Sequence, residues 1–208
     1  ETRRAAASRF ITAGPAARAV LPALIDHLGD RDPIVQLDLA QAIWEIDRKG
    51  HTILPLLFDL LLTNRGNARI GAVYLLGQMG PAAIDTLPWL TQLLNDSHSY
   101  DRLLLAAAIS RIDPTRRTAN EILIGGLYHA NADVRYLSIV ALSAAPLARF
   151  SEADQALRAV VADRQPRVRR AAGEALGQWE ARIETARAAQ PSRRDRVMPA
   201  AASDAPSR

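Results

Sequence analysis

The sequence predicts an all-α fold, a right-handed α-solenoid of about five stacked two-helix repeats with a period of 33–34 residues. The first observation is a register of leucines that recur every 33 residues, at Leu24, Leu57, Leu90 and Leu123 and again at Leu28, Leu61, Leu94 and Leu127. The second observation is the dipeptide Leu-Pro, which also recurs every 33 residues, at 21–22, 54–55 and 87–88. In a solenoid no repeat buries its apolar face alone, so each stacks on its neighbours.

The composition agrees with helix-on-helix packing. Hydrophobic residues make up 49% of the chain but aromatic residues only 5%, so the predicted core consists of Leu, Ile, Val and Ala. Small Ala side chains allow helix axes to approach closely. There is no cysteine, which excludes disulfides, thiolate metal sites and a cysteine nucleophile.

Two matching segments show how a repeat begins. Gly14-Pro15 and Gly80-Pro81 open matching stretches, since Gly commonly follows the end of a helix and Pro commonly starts one. Apolar residues at helical spacing predict a first helix over 15–28, in which Pro22 is expected to cause a bend. A polar turn follows, and a second helix is predicted over 33–47.

The same pattern divides the chain into repeats at 14–47, 48–79, 80–113, 114–146 and 147–179. Residues 1–13 match only a second helix, so the array begins within a repeat, either because a first helix is missing or because this helix is the terminal cap. The last helix is expected to extend over 180–190. Residues 191–208, rich in Pro, Ala, Ser and Arg, are expected to be disordered.

The second helices carry a pattern of the form Val-Arg-x-x-Ala-x-x-Ala-Leu, most closely at 134–142 and 168–176. With the proline in the first helix and the Asp-containing turn, this resembles the HEAT repeat, in the short bacterial form also seen in phycobilin lyases. Ankyrin and tetratricopeptide repeats fit less well, because their motif residues are missing. The resemblance implies an armadillo-like solenoid whose second helices line a concave surface that binds another macromolecule.

The resemblance also implies a series of contacts between the turn Asp of one repeat and an Arg of its neighbour. Asp30, Asp96 and Asp163 fit the turn position, and Arg69, Arg102, Arg135 and Arg169 fit the Arg position. Asn64 and Asn131 stand where Asp is expected, and Gln36 where Arg is expected, so the series is expected to be interrupted. Its role is interpreted as structural.

The candidate binding surface lies on the outward positions of the second helices. Residues 103–109 contain no polar side chain, and a helix that is apolar all round is either fully buried or carries a contact surface. Strong curvature of the array would bury part of this surface. The residues predicted to bind a partner are Tyr74, Leu104, Ala107, Leu137 and Val140, with Gln41 and Trp44 beside them. For Trp44, packing against the adjacent repeat is an equal alternative.

No residue pattern indicates catalysis, a metal site or a cofactor. His27, His51, His98 and His129 show no metal-ligand spacing, and His27 shares the position of two leucines, which predicts a half-buried packing role. No phosphate loop, nucleophile elbow or catalytic triad pattern occurs.

The function predicted from these observations is a non-enzymatic scaffold that binds a protein partner. A bilin-lyase-like chromophore attachment and a HEAT-like DNA-repair activity remain alternatives. The net charge is +4, but residues 181–208 hold six Arg and three acidic residues, which leaves a nearly neutral body and disfavours nucleic acid. No apolar run reaches the length of a membrane span, so a soluble protein is expected, with the cytoplasm favoured; because the chain starts at Glu1, a processed or truncated N-terminus is compatible.

Overall fold

A computed structural model of the chain describes residues 2–63, 66–96, 99–144 and 151–188, and all regular structure within them is helical. The α-helices are α1 (Thr2–Ala13), α2 (Leu21–Asp26), α3 (Pro33–Asp47), α4 (Leu54–Thr63), α5 (Asn67–Met79), α6 (Leu87–Asp96), α7 (Ser99–Ile112), α8 (Arg117–Gly126), α9 (Ala132–Ala144), α10 (Ser151–Val160) and α11 (Pro166–Ala188). Three 3₁₀ segments, Gly14–Val20, Gly50–Thr52 and Gly80–Thr86, precede α2, α4 and α6. The chain is an α-solenoid, as its sequence predicted.

The helices form two layers. The odd-numbered helices are the second helices of the repeats, and each contacts the next along the whole series from α1 to α11. The even-numbered helices are the first helices; they pack on the second helices, while consecutive first helices make few contacts with one another. The layer with the closer contacts is expected on the inner side of a curved array.

The core follows the predicted leucine register. Leu57, Leu90 and Leu123 are completely buried between the layers, and Leu61, Leu94 and Leu127 are buried beside them. In the first complete repeat Leu28 is only half-buried. Leu28 lies in the turn after this repeat's first helix ends at Asp26, and it packs against the core from there.

The first helix predicted over 15–28 is not continuous, which corrects that expectation. The chain forms the 3₁₀ segment Gly14–Val20, leaves helical geometry at Ala17 (φ −86°, ψ 15°), and begins α2 at Leu21. Pro22 therefore lies in the first turn of α2, where a missing N–H breaks no helical hydrogen bond, and it does not bend a longer helix. The third repeat has the same construction, with Ala83 at the break and Pro88 at the start of α6.

Residues with a positive φ follow three of the second helices, α1, α3 and α5. Gly14 follows α1 with φ +52°, and Gly80 follows α5 with φ +57°. After α3 a positive φ falls on Arg48, which adopts the left-handed helical conformation (φ 55°, ψ 16°) although side chains with a Cβ disfavour it. At the other end of the chain, α11 continues past Trp179 to Ala188. The tail 191–208, predicted to be disordered, lies outside the described residues.

Candidate docking surface

Small residues set the spacing between the second helices. A Cβ on Gly77 of α5 would lie 3.1 Å from the Cα of Ala108 on α7, and one on Gly71 would overlap the side chain of Leu37 on α3. The helices thus pack backbone against side chain at these positions, which larger residues would prevent. Close contact holds α5 and α7 together on their buried sides.

On their outward sides α5 and α7 leave an apolar groove of about 290 Å³. Its surroundings are Asn67, Ile70, Gly71, Val73, Tyr74, Gly77, Leu104, Ala107, Ala108 and Arg111. A second, smaller cavity of about 180 Å³ shares Ile70, Val73 and Leu104 with it and continues to Arg69 and Asp101. We call the two together the α5/α7 groove. Arg111 lies at one end of the groove, and Arg69 with Asp101 at the other.

The structure brings three of the predicted binding residues together in this groove. Tyr74 is 56% exposed, whereas Leu104 and Ala107 are half-buried and pack partly against the core. Leu137 and Val140 lie on the next second helix, α9, where Val140 is 39% exposed and Leu137 is half-buried. Gln41 is half-buried on α3. The α5/α7 groove is not lined by Leu137, Val140 or Gln41.

Trp44 is buried, which corrects its assignment to the binding surface. Only 5% of it is exposed, because α3 is contacted by α1, α4 and α5 and by the segments that precede it. Its indole Nε1 has no hydrogen-bond partner, and the guanidinium of Arg48 lies 5.3 Å from the ring centroid. The sequence allowed two roles for Trp44, partner binding and packing against the adjacent repeat, and the structure supports packing. Trp89, by contrast, is exposed on α6 and meets Phe58 edge-on.

The contacts between turn Asp and neighbouring Arg form at both ends of the array. Arg135 of α9 donates from Nε and Nη2 to the two carboxylate oxygens of Asp163, at 2.8 and 2.9 Å. These bonds, followed by one from the N–H of Gln165, lower the pKa of Asp163. At the other end Arg3 pairs with Asp30 at 2.8 Å, and Gln36 takes the place of Arg by donating to the carbonyl of Asp30. The hydrogen bond from the N–H of Asp32, followed by the charge of Arg3, lowers the pKa of Asp30.

Sequence reasoning missed a buried polar pair beside the groove helices. The hydroxyl of Ser110 on α7 donates to Oδ1 of Asn120 on α8 at 2.8 Å, and Nδ2 of Asn120 donates to the carbonyl of Pro114 at 3.0 Å. The periodicity could have indicated this pair, because Asn120 occupies the position that Leu21, Leu54 and Leu87 hold in the earlier repeats. A polar residue at a buried apolar position indicates an internal hydrogen bond.

Titratable groups do not form a reactive cluster in the described parts of the chain. No three His, Asp or Glu side chains there lie close enough together to hold a metal ion. His27 is exposed, contrary to the half-buried role predicted for it, and its Nδ1 lies 2.8 Å from the carbonyl oxygen of Ala23. The α5/α7 groove is lined by no Ser, Thr or His.

Comparison with known proteins finds a family match for part of the chain. The family described as HEAT repeats matches residues 21–110, which run from the first residue of α2 almost to the end of α7. This span includes nearly all of the α5/α7 groove. Among curated proteins, none matches the sequence significantly. No helix in the ranges that the structure describes combines the length and the apolar character needed to cross a membrane.

Proposed function

We propose that this chain, a HEAT-repeat protein through its residues 21–110, is a non-enzymatic scaffold that binds a protein partner on its second-helix layer, centred on the α5/α7 groove. HEAT repeats generally mediate protein interactions. The observation that carries the proposal is Tyr74, a large aromatic residue that is 56% exposed beside an apolar groove.

The chemistry of the groove supports binding over catalysis. Its walls are mainly apolar, and apart from Tyr74 its ionisable groups are Arg69, Asp101 and Arg111. Such a lining offers neither an activated nucleophile nor a histidine for proton transfer. An exposed Tyr above apolar side chains is instead typical of the residues that dominate protein interfaces.

The neighbouring helix extends the surface. Val140 is exposed on α9, which contacts α7, so apolar side chains continue from the groove toward the next repeat. Contiguous apolar patches on a protein surface commonly mark interaction sites. The closer contacts within the second-helix layer support its position on the inner side of the array, where a partner would touch several repeats at once.

Tyr74 is a better probe of this proposal than Leu104. Leu104 packs partly against the core, so replacing it changes stability as well as the surface. Tyr74→Ala removes a side chain that is mostly in solvent, and Tyr128→Ala supplies a matched control, because Tyr128 is 65% exposed and lies outside the groove.

The experiment places a photo-crosslinking amino acid at residue 74 or at residue 128 in cells that produce the protein. We expect a discrete protein adduct from residue 74 and none of the same mass from residue 128. The captured partner should then bind the purified wild type and Tyr128→Ala alike, and bind Tyr74→Ala at least about tenfold more weakly, as hot-spot truncations cost about 2 kcal/mol or more. Equal binding by all three proteins, or crosslinks to nucleic acid alone, would contradict the proposal.

A further inference from the structure

The charges at the α5/α7 groove are unusual within this protein. In the part of the chain whose side chains the structure describes, only three arginines are half-buried, and these are Arg69, Arg111 and Arg135. Arg135 has its bidentate partner in Asp163. Arg69 and Arg111 form no ion pair and no side-chain hydrogen bond with any described residue, and both lie at the groove.

A half-buried guanidinium without a carboxylate is a poor arrangement for a free protein. Burial removes part of the water around the charge, and buried charges are normally paired. Exposed arginines such as Arg164 or Arg170 have no such need, because water solvates them. The two groove arginines therefore have unused capacity for a carboxylate at the place where the surface is also apolar.

Packing fixes where these charges lie. The Cδ atom of Arg111 is 3.7 Å from the position of a Cβ on Gly77, so the side chain of Arg111 runs across the C-terminal part of α5. Arg69 lies about two turns earlier on α5, or about 12 Å away along the helix at 1.5 Å per residue. The groove between them is lined by Ile70, Val73 and Leu104.

We propose that the α5/α7 groove takes an acidic amphipathic helix of a partner protein, which places apolar side chains against Tyr74 and Leu104 and a carboxylate beside Arg111. The proposal rests on the proposed function and specifies the chemistry of its partner. A helix fits the spacing, because residues seven apart lie on one face at about 10.5 Å and the apolar residues between them lie on the same face. A second carboxylate two turns away would reach Arg69.

The two ends of the groove are not equivalent. Asp101 lies at the same end as Arg69 and offsets its charge, whereas no acidic residue lines the groove at Arg111. Recognition of the partner's carboxylate is therefore expected to depend mainly on Arg111, with a smaller contribution from Arg69.

The test selects binders from a phage-displayed library of helix-forming peptides against the full-length protein. We expect the selected peptides to carry Asp or Glu next to apolar residues at helical spacing. Their affinity, measured by fluorescence anisotropy, should fall at least tenfold for Arg111→Glu and less for Arg69→Glu. Arg170→Glu is the matched control, since it makes the same charge change on an exposed residue of α11 and should leave affinity unchanged. Peptides with Lys in place of the acidic residue should prefer Arg111→Glu.

The outcomes separate this inference from the proposed function. Peptides that need Tyr74 but show no acidic preference, or that bind Arg111→Glu as tightly as the wild type, would overturn the inference and leave the docking groove in place. Peptides whose binding survives Tyr74→Ala as fully as Tyr128→Ala would overturn both. Loss of helical circular dichroism in Arg111→Glu would shift the test to Arg111→Gln, for which a reduced acidic preference is required.

Discussion

Replacing Ser110 by Ala tests how much the buried hydrogen bond between α7 and α8 contributes to stability. Ser110 is completely buried and Asn120 is only 3% exposed. Without the hydroxyl donor, Oδ1 of Asn120 loses its partner in a place that water does not reach. A buried acceptor left without a partner costs about 1–3 kcal/mol, so we expect Ser110→Ala to lower the free energy of unfolding by that amount.

The repeat itself supplies the matched control. Ser143 lies 33 residues after Ser110, on α9, and its hydroxyl donates to the carbonyl of Val140 in the same helix. Ser143→Ala makes the same chemical change, including the gain of about 0.5 kcal/mol in helix propensity, but leaves no buried acceptor unpaired. We expect it to change stability by less than about 0.5 kcal/mol.

A double replacement tests the reasoning from the other side. Asn120→Leu restores the residue type found at the equivalent positions 21, 54 and 87. Alone it leaves the Ser110 hydroxyl without its acceptor and also removes the hydrogen bond to the carbonyl of Pro114. Combined with Ser110→Ala it removes the unpaired hydroxyl, so we expect the double variant to be less destabilised than the sum of the two single variants. Urea unfolding, followed by circular dichroism and by tryptophan fluorescence, measures the wild type and all four variants. If Ser110→Ala is no more destabilising than Ser143→Ala, or if the double variant is as unstable as the sum of the singles, the account of this pair is wrong.

Two further changes test local features of the array. Arg48→Gly and Arg48→Ala both lose the contacts with Trp44 and Glu45, but only Gly adopts the positive φ of residue 48 without strain. In the same assay we expect Arg48→Ala to lower the free energy of unfolding, and Arg48→Gly to be about 1 kcal/mol more stable than Arg48→Ala. Asp163→Asn should destabilise the protein at pH 7. Because Arg135 lowers the pKa of Asp163 in the folded protein, the carboxylate stabilises the fold at pH values above its unfolded pKa of about 3.9. This stabilisation is lost as pH falls through the folded pKa. The difference from wild type should therefore shrink in unfolding measurements at acid pH, and a difference that is constant with pH would contradict the assignment.

The fold could be predicted from the sequence because its core positions repeat. Leu57, Leu90 and Leu123 occupy one position in three repeats and are all completely buried. Periodicity did not predict the break before α2. A first helix over 15–28 and a 3₁₀ segment followed by a short helix contain the same apolar spacing, and the choice depends on the φ and ψ of Ala17.

The candidate site could be predicted only in part, since periodicity identifies equivalent positions without showing which way they face. Tyr74 and Trp44 both occupy second helices, yet one is exposed and the other is buried. The position of Trp44 recurs as Gly77 and Ser110, both buried, and Gly77 lies close to the backbone of α7. A position that holds small residues in neighbouring repeats indicates close helix packing. That pattern would have assigned Trp44 to the interior.

The groove itself arises from a change of side-chain size within one repeated position. Residues 41, 74, 107 and 140 are equivalent, and they are Gln, Tyr, Ala and Val. Ala107 is thus a small residue between two larger ones, and the space beside Tyr74 lies over it. Since the helix backbones are already held close by Gly77 and Ala108, the helices do not move together to fill this space. The apolar groove beside the exposed Tyr74 therefore results from one residue, Ala107, that is smaller than its equivalents in the neighbouring repeats. The periodic residues around Ala107 form the walls of the groove.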